Sequence, residues 1–162
     1  MATTLDQRVG FVDRRIELCV RSLASRTGKG IQEQAIDRLQ RLEATGELDA
    51  LSVRIWGEEV ALSTTAVETE RGRAILRRVG TFREWAAHND VSLAPFFEPR
   101  EKTSRITGEE YATLRLPVLV MAEYVDGDIV HVAPHRRDSG VYTVEDRLAS
   151  LAEPTSGHNS LG

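Results

Sequence analysis

Leu114-Arg-Leu-Pro-Val-Leu-Val-Met-Ala122, continued by Glu123-Tyr-Val-Asp-Gly-Asp-Ile-Val-His-Val-Ala-Pro134, is the stretch on which the fold turns. Pro117 heads an apolar run that reaches Ala122 without a polar break. A strand covered on both faces has that composition. Asp126-Gly127 then separates two apolar segments, and that dipeptide favours the tight turn of a hairpin. A strand from Leu116 to Ala122 and an antiparallel return strand are therefore expected. Thr143-Val-Glu-Asp146 follows with the spacing of a capping box, so a short helix should begin there with Leu148 and Leu151 facing inward.

Working back toward the N-terminus, Arg15-Ile-Glu-Leu-Cys-Val-Arg21 alternates apolar and polar, the period of a half-buried strand. Ser22 to Gly30 carries Gly28 and Gly30 and reads as a loop. Ile31, Ala35, Leu39 and Leu42 recur at helical spacing, and Gly46 suits the residue just past that helix. Leu51-Ser-Val-Arg-Ile-Trp56 alternates again as a second strand, with a small extra strand from Val60 to Leu62. Alternation from Val53 and Ile55 places Arg54 and Trp56 on its outward face. Thr65-Ala-Val-Glu68 reads as the capping box of a long helix that buries Ile75, Val79, Phe82, Trp85 and Ala86 and stops near Asn89-Asp90. Pro95 and Pro99 restrict any strand between Leu93 and Glu101 to a short or edge position. Residues 100–112 read as a charged, exposed loop.

The order is strand, helix, strand, helix, strand, strand, helix. A helix joins the first two strands, so they should run parallel through a right-handed crossover. The expectation is an α/β domain over residues 14–152: a mixed four-stranded sheet with helices on both faces. Residues 1–13 form an N-terminal arm and residues 153–162 a disordered polar tail. No internal repeat is present.

This βαβαββα order, with Pro117 before a core strand and Asp126-Gly127 after it, resembles the thioredoxin-like superfamily. Glutaredoxins and the N-terminal domains of glutathione transferases are similar. The resemblance implies a cis bond between Leu116 and Pro117, beside the loop that follows the first strand. Read from the residues alone, Pro117 also suits a trans position at the head of a strand. Redox members carry cysteine in that loop, whereas Ser22 to Gly30 contains none. Cys19 lies inside the first strand, so a packed structural thiol is the plainer reading, and disulfide or peroxide chemistry is argued against. The ending of the chain also resembles small proteins of halophilic archaea, some described as helix-turn-helix proteins. The strand between the two long helices does not fit that motif. The scarcity of lysine, 2 against 19 arginines, agrees with such a source.

With 41% apolar and 28% charged residues the composition is that of an ordinary globular domain. No apolar run approaches the ~20 residues that span a bilayer, and a cytoplasmic location without a membrane partner is expected. A single cysteine excludes an internal disulfide framework and a multi-cysteine metal site. A net charge of −4 gives no global pull toward nucleic acid. Locally, however, Arg71, Arg73, Arg77, Arg78 and Arg83 stud the second long helix, and Arg73, Arg77 and Arg78 are the nucleic-acid candidates. Glu68, Glu70 and Glu84 interleave with them, so a solvated, salt-bridged face competes with that reading. His131 and His135 are four apart with Asp138 near, but no third ligand is fixed by spacing, and neither a metal nor a cofactor is assigned. His88 suits the negative end of a helix.

Three functions follow, in this order. The first is a non-catalytic thioredoxin-like domain acting through protein contacts, in a regulatory role and as a homodimer or with another protein, with Arg54 and Trp56 as interface candidates. The second is a DNA-associated transcriptional regulator using the arginine-rich helix. The third is an enzyme or binder of small molecules or anions, with Ser22, Ser25, Thr27 and Lys29 beside Leu116 and Pro117. No nucleophile–base pair or paired carboxylates can be placed by spacing, so that reading ranks last.

Overall fold

The computed structural model of this chain describes residues 12–22, 30–62 and 69–151. Its main sheet is mixed and four-stranded, in the order β2-β1-β6-β7. β1 (Arg14–Val20) runs parallel to β2 (Ala50–Ile55), with Ile16 level with Leu51 and Val20 with Ile55. β1 is antiparallel to β6 (Leu119–Val125), and β6 to β7 (Asp128–Ala133), with a register shift at Glu123 and Tyr124. Helix α1 (Ile31–Ala44) joins β1 to β2. Helix α2 (Glu70–His88) follows β3 (Glu59–Ala61), and α3 spans residues 144–151.

The alternation of β1 sorts its side chains between two cores. Ile16, Leu18 and Val20 pack with Ala35 and Leu39 of α1 and Val144 and Leu148 of α3. Cys19 faces the opposite core, with Ile75, Val79, Phe82 and Ala86 of α2. The helices thus cover both faces of the sheet, which explains why β6 is buried from Leu119 through Glu123. The β6–β7 turn is made by Asp126 and Gly127 at φ 51° and 88°. Positive φ at both central residues is the geometry an Asp-Gly hairpin provides. Asp13 is fastened to this turn: its N–H donates to Asp126 Oδ1 at 3.0 Å, and its carbonyl accepts from Asp126 N–H at 2.8 Å. At the start of α3, Thr143 and Asp146 cap each other reciprocally, at 2.9 and 3.0 Å.

Four expectations are corrected. The stretch 100–112 is not a loop: β4 (Glu98–Thr103) and β5 (Glu110–Arg115) pair, and with β3 make a second sheet in the order β3-β5-β4. Leu114 of β5 and Phe97, just before β4, anchor it to the α2 core. The core strand begins at Leu119, because Leu116 and Pro117 form the step from one sheet to the other. The cis bond lies between Ala133 and Pro134, and the Leu116–Pro117 bond is trans. Finally, α2 starts with Thr69 as its N-cap, the hydroxyl accepting from Gly72 N–H at 3.0 Å. The proposed box at Thr65 to Glu68 lies outside the described residues, as do residues 1–11 of the arm, residue 152 and the tail 153–162. β8 (His135–Arg137) and β9 (Gly140–Tyr142) form a small ribbon before α3.

Candidate functional site

Helix α2 lays its apolar stripe on the sheet, and this fixes where its arginines stand. Arg71, Arg73, Arg77 and Arg83 are exposed, and none of them forms an ion pair. Arg73 and Arg77 are one turn apart on the solvent side, with Glu70 and Glu84 above and below them. Arg78 is different. It turns toward the sheet, donating to Glu17 Oε1 at 2.6 Å and to Oε2 at 3.0 Å. Arg54 of β2 donates to the same carboxylate at 2.7 Å. Arg78 is thus committed within the fold, a correction to its reading as a nucleic-acid ligand.

Glu17 sits between the sheet and α2 with its side chain 12% exposed. Burial by itself would push the carboxyl up, but the hydrogen bonds from Arg78 and Arg54 outweigh it and hold it below its ordinary 4.5. The stability this contributes is fully present above about pH 4.5 and is lost as the pH falls through the lower folded-state value. Glu17→Gln should cost about 2 kcal/mol at neutral pH. That is less than for a fully buried pair, because the Arg54 side chain is 54% exposed. Urea unfolding at pH 7 and again below pH 4 measures both: the gap from wild type should shrink in acid.

Cys19 has no exposed surface. Burial, with the Glu17 charge beside it, pushes its thiol up to about 12. A protonated, enclosed thiol is a poor nucleophile and a poor metal ligand.

Of the outward-facing pair expected at β2, Arg54 is exposed and Trp56 is buried. Trp56 is 3% exposed and packs edge-on against Phe82 and Phe97, at 6.4 and 5.9 Å between ring centres. Val53 and Ile55, expected to face inward, are exposed as well, at 38% and 49%. β2 is an edge strand, and there the rule that apolar alternation marks the inner face fails. Arg54 is exposed as expected, though tied to Glu17.

At the loop after β1, Ser25, Thr27 and Lys29 lie outside the described residues. Ser22 is exposed. The step at Leu116 and Pro117 does come beside the end of β1. The Arg21 guanidinium donates to Leu116 O at 2.9 and 2.7 Å, and Arg21 N–H to Val118 O at 3.2 Å.

A second buried charge cluster was not legible by spacing. Glu123 of β6 accepts a two-pronged bond from Arg147 of α3, at 2.6 and 2.9 Å. His131 Nδ1 approaches Glu123 Oε2 at 3.4 Å. The His131 ring lies 5.4 Å from both Trp85 and His135 and 5.5 Å from Tyr142. His135 is buried and fully engaged: Nδ1 donates to Val132 O at 2.7 Å, and Nε2 accepts from Arg137 at 3.3 Å. That assigns it a neutral tautomer and leaves no lone pair for a metal. Beside these rings is an open hollow of about 490 Å³ edged by Asp90, Arg137 and Asp138. His88 Nδ1 is 2.8 Å from Glu84 O in the last turn of α2.

No helix among the described residues is long and apolar enough to cross a membrane. No curated protein and no solved structure matches the chain. A family model described as a helix-turn-helix domain matches residues 12–156. The motif itself joins two helices by a turn of about 3–4 residues. Among the described residues, α1 and α2 are separated by β2 and β3, and α2 and α3 by β4 through β9. The match spans the whole sheet-and-helix domain rather than one pair of helices, and the chain belongs to the helix-turn-helix domain family.

Proposed function

We propose that this protein is a DNA-associated regulator in which the exposed face of α2 meets the phosphate backbone through Arg73 and Arg77. The observation that carries the reading is a row of arginines without acidic partners, on a helix packed against the core, in a chain of the helix-turn-helix domain family. Unpaired surface guanidinium groups bind phosphates and release counterions without reading sequence. A band-shift assay with duplex DNA at graded salt tests it. Wild type should retard the duplex at low salt. Arg73→Glu/Arg77→Glu should weaken binding by at least about tenfold and flatten the salt dependence by about two units of log–log slope. No retardation at the lowest salt, or a double variant that binds like wild type, ends this reading.

A second reading is favoured by one observation. β2 is an open edge that exposes Val53 and Ile55, and open apolar edges pair with other chains. The regulator would then also bind protein, as a homodimer or with another partner. The strand order β2-β1-β6-β7, with a parallel first pair and an antiparallel final hairpin, supports a thioredoxin-like ancestry with β3 to β5 inserted. An inert Cys19 suits a binding role better than redox chemistry.

A further inference from the structure

Arg71 stands in the first turn of α2, where the helix dipole favours acids and disfavours cations. It has no ion-pair partner, so stability gives no reason for an arginine there. Its guanidinium lies against Gly57: a Cβ at that glycine would come within 3.8 Å of Arg71 Nη2. Gly57 has φ +87°, a conformation that side-chain-bearing residues rarely adopt, so the chain passes close to Arg71 at a position suited to glycine.

Two cavities share Arg71. One of about 260 Å³ lies between α2 and β2, with Arg54, Arg78, Ile55 and Ile75 in its wall. The other, of about 370 Å³, lies between the start of α2 and β3, walled by Val60, Thr69 and Gly72. Trp56 belongs to both walls, and its indole N–H is buried without an acceptor. A buried donor left unpaired costs about 1–3 kcal/mol. The charge is lopsided too. Glu17 answers Arg54 and Arg78, Glu59 is held by Lys102 at 2.6 Å, and Arg71 has no counterpart. The first-turn N–H groups of Glu70 and Arg71 have no acceptor within their helix.

We propose that these two cavities, which share Trp56, Arg71 and Ile75, bind a small ligand with an anionic head and an apolar body. The head is held by Arg71 and the start of α2, and the body lies along Ile75, Val60 and Trp56. This site does not depend on DNA binding, because Arg73 and Arg77 are not part of it.

Titration calorimetry and tryptophan emission on the full chain test it, with phenyl phosphate, benzoate and inorganic phosphate as probes. Phenyl phosphate or benzoate should bind and change the emission, and whichever binds tighter assigns a phosphate or a carboxylate head. Inorganic phosphate, lacking the body, should bind at least about tenfold more weakly. Arg71→Ala should weaken the organic probes by about tenfold or more, the size of one charge-assisted contact. Arg71→Lys should fall between, and Arg73→Ala/Arg77→Ala should bind like wild type. Arg71 is exposed, so its loss should not unfold the protein, and an unchanged melting temperature confirms that. Neither organic probe binding at millimolar concentration, or Arg71→Ala binding them as wild type does, overturns the proposal.

Discussion

Phe82→Ala is expected to lower the stability of this protein by about 3–5 kcal/mol. Phe82 has no exposed surface and lies on the inward stripe of α2. Its ring meets Trp56 edge-on, and the same core holds Val60, Phe97 and Leu114 from around the second sheet. Truncation therefore opens a void where α2 meets β1 and the second sheet. Phe82→Leu keeps most of the volume and should cost about 1–2 kcal/mol. Guanidinium unfolding followed by tryptophan emission gives both values, with the midpoint shifting and the slope unchanged. A loss below about 1 kcal/mol for the alanine variant would mean that α2 is not seated as described, and the placement of every arginine on it would fall with that.

The same packing decides which arginines are available. Arg78 and Arg73 are five residues apart, yet one reaches a carboxylate of β1 and the other is exposed. Regulators that bind phosphates need cations the fold does not already use. Here the orientation of one helical stripe divides a run of five arginines into one structural residue and four free ones.

How much of this was legible follows from where the signals lie. The alternation of β1, the apolar run of β6, the Asp-Gly hairpin and the stripe of α2 are each written within a few residues, and each element is present, although β6 and α2 begin later than expected. An edge strand was allowed between Leu93 and Glu101, but the pairing of β4 with β5 was missed because Glu98-Pro-Arg-Glu-Lys-Thr103 is exposed along nearly its whole length, which removes the period-two pattern. Those strands are held by backbone pairing, and only Thr113 and Leu114 of β5 are buried. Val53 and Ile55 misled for the opposite reason: the pattern is present, but an edge strand leaves it uncovered. The Leu116–Pro117 isomer came from a resemblance and not from any local feature. The Glu17 and Glu123 clusters join residues 61 and 24 apart in sequence to their arginines, beyond any spacing rule. Arg71 had a readable signal, a cation in a first helical turn. It was hidden because the helix was expected to begin four residues earlier, which placed Arg71 deeper in the helix.

Acidification should destabilise this protein well before its carboxylates protonate. Burial, and then the positive charge of Arg147 with smaller effects of His135 and Arg137, pushes His131 from 6.5 down to about 3. The folded state thus refuses a proton that the unfolded chain accepts at about 6.5. Between those values the unfolded state binds more protons, so stability falls as the pH falls through that window and is flat above it. At about 1.4 kcal/mol per pH unit the full loss is on the order of 4 kcal/mol, trimmed by Glu123 at 3.4 Å, which favours the imidazolium. His135, also pushed down, first by burial, acts in the same sense. His131→Phe keeps a ring between Trp85 and Tyr142 and removes the titration. Its unfolding midpoint should change less than that of wild type from pH 7 to 5, where Glu17 still holds its charge. Equal acid sensitivity in the two proteins would show that His131 is not enclosed in the ring cluster, and that the junction of β7 with α2 is looser than its aromatic contacts require.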